Sequence, residues 1–372
     1  MNFDEKTADV NNTLKCKNCA ASLTFAPGTK SLVCQYCGTT NEITHTEEEF
    51  KEIEELDYFD YEHVNDAEKY TVQVLKCNSC GASTTYDGKT AASSCPFCTA
   101  PLVVTGGGQA ASIIKPKSLI AFVIDQNKAI ESFKKYAKNQ WFAPDAFLKL
   151  TKSHDKVKGM YIPYWSFDAD VHTQYIGQRG IDYVTTETYT TTENGKTVTR
   201  TRNVTRTNWW PVSGEVDNNF DDLMVTASST LPVDVANNLD PWDSKGLVPY
   251  NDSYIAGFVA EMYNIELKAG FESGKNKMWP VIENTICRDI GGDHQRITRH
   301  QSNYSNVKFK HALLPIWISV VPYKEKKYYF LVNGQTGKVQ GQQPYSAIKI
   351  ILAVLLALLI IFGIYWATQA GK

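Results

Sequence analysis

Eight of the nine cysteines fall between positions 16 and 98, in two sets of identical spacing. Cys16, Cys19, Cys34 and Cys37 read C-x2-C-x14-C-x2-C, and Cys77, Cys80, Cys95 and Cys98 repeat the pattern 61 residues later. A C-x2-C turn presents two thiolates to one metal, and two such turns complete a tetrahedral zinc ribbon. The expected cofactor is therefore two zinc ions. Four thiolates close each site, so the metal is read as structural, with no open position for water or substrate. Disulfides and an iron–sulfur centre are the alternatives; paired knuckles make poor disulfide frameworks, and a reducing compartment disfavours them. Gly38 and Gly81 follow directly on a C-x2-C pair and suit a tight turn. Small ribbons bury little apolar surface and are expected to fold only with metal. Cys287 lies apart, beside Ile286 in a helical stretch, and reads as a core thiol.

No other catalytic constellation is found. Gly88-Lys89-Thr90 and Gly195-Lys196-Thr197 resemble the end of a phosphate loop, but Ser83 and Thr190 stand where that motif needs glycine. There is no D-E-x-[DH] box, so a P-loop ATPase or helicase is excluded. The seven histidines show no ligand spacing; His294 and His300, near Asp293, read as loop or surface residues. With no nucleophile–base pair and no carboxylate dyad, no catalytic residue is assigned and an enzyme is not expected.

The elements that must carry the cysteines follow from charge and patterning. The chain of 372 residues has a net charge of −2, which hides two extremes. Residues 46–68 hold eleven acidic side chains and one lysine. Within them Phe50, Ile53 and Leu56 recur at helical spacing, so the stretch reads as a solvated spacer or an amphipathic recognition helix. The other extreme is Ala347 to Ala367, 21 residues broken only by Lys349. About 20 apolar residues cross a bilayer. Tyr365 and Trp366 sit at its far end, where aromatic rings favour the interface, and the stem of Lys349 is expected to reach the headgroups. The N-terminus has no signal-peptide character. Residues 308–349 carry seven lysines against Glu325, which places the bulk of the chain in the cytoplasm of a single-pass, tail-anchored protein. Those lysines would face anionic membrane lipids.

The division expected is a ribbon at 1–45, an acidic linker at 46–70, a second ribbon at 71–105, a Gly-rich linker at 106–116 around Gly106-Gly107-Gly108, an α+β domain at 117–346, a transmembrane helix at 347–367 and a short tail at 368–372. In the α+β domain, strands are expected at Ser118–Ile124 and Met160–Phe167 and helices at Gln126–Asn139 and around 265–290. Gly257–Glu261 echoes Ala121–Asp125, and Leu313-Leu314-Pro315-Ile316-Trp317 echoes Tyr161-Ile162-Pro163-Tyr164-Trp165. These echoes suggest an internal duplication of strand, helix and a strand bearing P-x-W. Asn194-Gly195 signals a type I′ hairpin, which would oppose Tyr189 to Arg200, Glu187 to Arg202 and Tyr183 to Arg206. The arginine stripe in 181–208 reads as cross-strand ion pairs and cation–π contacts, or as an anion or lipid contact. Neither ribbon carries clustered cations, so nucleic acid is disfavoured.

The ribbons, together with Tyr161-Ile-Pro-Tyr-Trp-Ser-Phe-Asp168, Asp240-Pro-Trp-Asp243, Arg288-Asp-Ile-Gly-Gly-Asp-His294, Leu314-Pro-Ile-Trp317 and Val332-Asn-Gly-Gln-Thr-Gly-Lys338, resemble bacterial tail-anchored proteins with N-terminal ribbons of the transcription-factor-B type. Relatives often carry a primosomal-helicase label, which fits nothing here beyond the ribbon. Some belong to membrane-stress modules with phage-shock protein A-like and flotillin-like partners. The resemblance implies a membrane-anchored adaptor that docks protein partners; a membrane-associated nucleic-acid binder is the alternative.

Overall fold

The structure, a computed structural model, describes residues 14–51, 56–59, 69–85, 92–103, 109–154, 156–193 and 196–370. The Gly106–Gly108 run, the Asn194-Gly195 turn, Gly88-Lys89-Thr90 and most of the acidic stretch lie outside these residues. The fold is mixed α+β, with two four-cysteine clusters, a large sheet domain and one C-terminal apolar helix.

Ribbon 1 is a three-stranded antiparallel sheet of β1 (Leu23–Phe25), β2 (Ser31–Cys34) and β3 (Thr40–Glu42). A short helix, α1 (Glu47–Lys51), follows. It opens on a capping box in which Thr46 Oγ1 accepts from the Glu49 N–H while the Glu49 carboxylate accepts from the Thr46 N–H. The helix spacing that would include Leu56 stops short of it. Leu56–Asp57 form a strand, β4, that pairs with the main sheet at Lys308–Phe309.

Ribbon 2 comprises β5 (Lys69–Lys76), β6 (Ser83–Thr85), β7 (Ala92–Ser94) and β8 (Pro101–Val103). The expected linker at 106–116 is corrected in its second half. Gln109–Ile114 is a strand, β9, paired antiparallel along β5. Its backbone pairs along the whole of Lys69–Val74, a ladder that the glycines before it in the sequence obscured.

The main sheet is built from β10 (Ser118–Ile120), β11 (Lys158–Glu193), β12 (Lys196–Thr226), β13 (Leu247–Pro249), β14 (Val259–Ala260), β15 (His294–Tyr323), β16 (Lys326–Asn333) and β17 (Val339–Gly341), with β4 added to β15. Between them run α2 (Gln126–Lys138), α3 (Asp145–Ser153), α4 (Val233–Asn237), α5 (Asp252–Ile255) and α6 (Leu267–Ile290); α7 (Ala347–Ala370) closes the chain.

Three strands of thirty or more residues form a long finger in the order β12-β11-β15. The burial of β11 changes along its length. Residues 160–167 are buried on both faces, 171–177 largely alternate, and 181–192 are mostly exposed. The expected strand at Met160–Phe167 is thus only its core section. The expected hairpin is the outer part of the same two strands, and at about 3.3 Å per residue it projects roughly 40 Å past the end of β15. Helix α6 lies along the finger. Its buried residues Leu267, Phe271, Met278, Ile282, Ile286 and Ile290 form one face against Phe167, Val171, Val216 and Phe309.

The duplication is visible in three dimensions. Pro163 opposes Leu313 and Tyr161 opposes Pro315, so exchanging the two P-x-W strands leaves their register unchanged. Phe122 and Phe258, the echoed phenylalanines, stack at 4.4 Å between ring centroids. The Trp317 indole N–H donates to the Ile124 carbonyl at 2.8 Å, one residue before the Asp125 cap of α2. The Trp165 indole donates to the Ile265 carbonyl at 2.9 Å, one residue before the Glu266 cap of α6. Each half therefore anchors the helix start of the other.

Candidate metal centres

The two ribbons hold the sheet from opposite faces. Tyr161 packs in one core with Leu23, Phe25, Leu32 and Cys34 of ribbon 1. Its neighbours Met160 and Ile162 pack in another with Cys77, Ala82, Cys95 and Phe97 of ribbon 2. Successive strand residues point to opposite faces, so one strand divides the ribbons between them. Polar contacts fix each ribbon in place. The Phe25 N–H donates to the Ala256 carbonyl, and His45 Nε2 lies 2.9 Å from the Tyr254 hydroxyl. On the other face, Met262 N–H donates to the Ser83 carbonyl, and Lys327 Nζ donates to the Cys98 carbonyl at 2.6 Å.

The four knuckles, two in each ribbon, are built alike. The first cysteine of each pair, Cys16, Cys34, Cys77 or Cys95, donates its N–H to the carbonyl five residues on and accepts from the N–H four residues on. That fourth residue takes a positive φ in every case: Ala20, Gly38, Gly81 and Thr99. The two glycines noted in the sequence adopt it without a Cβ penalty. Ala20 and Thr99 show that the knuckle imposes it on other residues too.

The geometry brings each predicted ligand set together. Cys16, Cys19, Cys34 and Cys37 have all four sulfurs within 4.8 Å of one another, and so do Cys77, Cys80, Cys95 and Cys98. The closest Sγ pairs are 3.5 Å apart in ribbon 1 and 3.5 and 3.6 Å apart in ribbon 2. Tetrahedral zinc with sulfur at about 2.3 Å requires sulfurs roughly 3.8 Å apart, close to these separations. A disulfide needs about 2.05 Å, and all eight thiols are free. Each cluster is positioned to hold one metal ion.

The electrostatics of the thiols are uneven. Backbone N–H groups of Asn18 and Cys19 lower Cys16, and the hydroxyl and N–H of Thr39 bring Cys37 down to about 6. Cys19 is pushed up to about 12: the Ala21 N–H favours its thiolate, but crowding by Cys34 and Cys37 outweighs it. In ribbon 2, burial raises Cys95, and Cys80 to about 11. Cys98 is also penalised by burial, yet the Ala100 N–H and the neighbouring thiols bring it to about 7. Crowded thiols cannot all ionise alone; a dication at the centre removes that conflict.

The chain is 27% identical over 249 residues to the uncharacterized protein YdjG of Bacillus subtilis (strain 168). The match spans 64% of this chain and 66% of that relative. No family model and no solved structure matches.

The remaining residues singled out in the sequence fall elsewhere. Among the described residues, the two cysteine sets are the only groups arranged to hold a metal. Cys287 is half-buried, its thiol raised by burial. His300 stacks on Trp279 at 3.9 Å and His294 Nε2 lies 3.1 Å from Asp182. The hairpin register is as expected, with Tyr189 opposite Arg200, Glu187 opposite Arg202 and Tyr183 opposite Arg206. Arg202 and Arg206 both pair with Glu187, and Arg202 also lies 5.5 Å over the Tyr189 ring.

A group the sequence did not flag lies where ribbon 2 meets the sheet. Glu261 is buried, bridges to Thr84 of β6 and accepts the Ser228 hydroxyl at 2.8 Å, while its Oε2 has no partner. Burial pushes its carboxyl up to about 7. An unfolded glutamate titrates near 4.3. Folding is therefore penalised progressively as pH rises from the unfolded value through about 7, and the penalty is constant above that. Glu261→Gln should flatten this slope and be more stable than wild type above pH 7 by up to about 3 kcal/mol. Denaturant midpoints of the full chain at pH 5 and pH 8 measure it, and an equal difference at both pH values would contradict it.

Proposed function

We propose that this chain is a membrane-anchored zinc-ribbon adaptor that docks protein partners at the cytoplasmic face of a membrane, in the manner of the membrane-stress modules its sequence resembles. The observation that carries the reading is the pair of closed four-thiolate clusters. With all four positions of a tetrahedral metal filled by protein, each ion would rigidify a surface rather than activate a substrate. Eight thiolates from two soft sets favour zinc. The C-terminal helix, with 23 residues over Ala347–Gln369, is long and apolar enough to cross a membrane. The lysine excess before it supports a cytoplasmic orientation.

No ATP motif and no catalytic constellation accompany these features, and the proposal assigns the protein no enzymatic activity. The eleven acidic side chains of residues 46–68 would attract a basic or amphipathic protein. Membrane confinement would raise the effective concentration of such a partner.

The test uses the full chain, because each ribbon shares a core with the sheet. Captured from membranes, it should retain a specific protein that is lost when Glu47, Glu48, Glu49, Glu52, Glu54 and Glu55 are neutralised, and the contact should weaken with salt beyond the ~8 Å screening length of physiological buffer. Protein capture unchanged by neutralisation would confine recognition to the ribbons. Tight DNA or RNA binding at physiological salt, with no protein captured, would replace the adaptor with a nucleic-acid binder.

A further inference from the structure

The first turn of α7 does not leave the domain freely. The Ser346 N–H donates to the Phe142 carbonyl at 2.8 Å. Lys349 Nζ donates to the Ala143 carbonyl at 2.9 Å and pairs with Asp145 at 2.7 Å. The Lys349 ammonium turns back to the start of α3 and holds the Asp145 carboxyl below the usual range. These contacts fix the α2–α3 turn at the point where the apolar helix begins.

That turn carries Trp141, 75% exposed, and Phe142, also exposed; Leu150 on α3 is exposed as well. A large exposed indole beside the mouth of an apolar helix has no role in the core. Tyr345, one residue before the Ser346 contact, is likewise exposed. From Ala347 to Trp366 the helix rises about 30 Å, one hydrocarbon thickness. Tyr365 and Trp366 thus mark one interface, and Tyr345, Trp141 and Phe142 lie at the level of the other. Trp and Tyr favour that depth because the ring is apolar and the N–H or O–H remains hydrated. Exposed Lys138, Lys149 and Lys152 flank the turn on α2 and α3 and complement an anionic leaflet.

We propose that the Trp141–Phe142 turn is a second membrane contact, seated in the headgroup interface of the leaflet that α7 enters. It rests on the reading of α7 as membrane-spanning. A helix alone leaves a domain free to swivel about one tether; a second inserted point fixes which face of the domain meets the membrane.

The full chain, reconstituted into vesicles of phosphatidylcholine and phosphatidylglycerol, tests this by quenching of tryptophan fluorescence with phosphatidylcholine brominated near the headgroup. Of the eight tryptophans, Trp141 and Trp366 should be the ones quenched. Trp141→Phe and Trp366→Phe should each remove about half of the quenching, since both indoles sit at interfacial depth. Trp141 is exposed, so its replacement by phenylalanine leaves the core untouched. Full quenching in Trp141→Phe, abolished in Trp366→Phe, would overturn the proposal and leave the membrane span intact. No quenching in the wild type would remove the span itself, and the proposal with it.

Discussion

Cys34→Ser is expected to lower bound metal from two ions per chain to one and to unfold ribbon 1, while ribbon 2 keeps its ion. The two clusters share no ligand and lie on opposite faces of the sheet. A structural zinc contributes on the order of 10 kcal/mol of apparent binding free energy to a small ribbon, far more than its few strand hydrogen bonds. The damage should not stop at the ribbon. Leu23, Phe25 and Leu32 share a core with Tyr161 of β11 and with Phe122 just after β10, so losing ribbon 1 exposes that part of the domain. Amide exchange should therefore rise in β1–β3 and in β10, and remain low in β5. Cys95→Ser should give the converse pattern, exposing the face lined by Met160, Ile162 and Ile316. Retention of two ions by either variant would contradict the ligand assignment.

The ligands were legible because metal spacing is local chemistry: a C-x2-C knuckle is complete within six residues. The hairpin register was equally local, following from the position of one turn, and pairing continues from Glu193–Lys196 down to Tyr164–Thr226 with one irregularity at Phe167/Ala169. The length of β11 was not legible. Past Phe167 its composition turns polar, and a residue such as Thr173 is buried by its tertiary partners, here Ser302 at 2.8 Å, and not by its own hydrophobicity. The seating of the ribbons was hidden for a related reason. Phe97, Phe25 and Ala82 look like a ribbon's private core, and only the folded sheet shows them completing a core that Tyr161 and Met160 begin. The strand at Gln109–Ile114 was masked by the glycines before it. The reciprocal tryptophans are implied by the P-x-W echo, but the carbonyl each one meets depends on the swapped arrangement of the halves.

Those tryptophans give the second large effect. Trp165 is fully buried and donates to the Ile265 carbonyl. A Cβ at Gly270 would lie 2.5 Å from its ring, so the helix packs there only as glycine. Trp165→Ala should cost about 3–5 kcal/mol, combining lost burial with the cavity left behind. Trp165→Phe keeps part of the ring and leaves the half-buried Ile265 carbonyl without its donor, for about 1–3 kcal/mol. Gly270→Ala, which overpacks the same contact, should cost about 1–3 kcal/mol. Denaturant unfolding of the three variants ranks them. A Trp165→Phe variant as unstable as Trp165→Ala would mean that the hydrogen bond, not the packing, holds α6 to the sheet.

The proposed occupancy of both four-cysteine clusters by zinc is tested by elemental analysis of the full chain, purified under reducing conditions without chelator. The predicted result is two zinc ions per chain, falling to one in either single-ribbon variant. A zinc content near zero, or iron in its place, would contradict it.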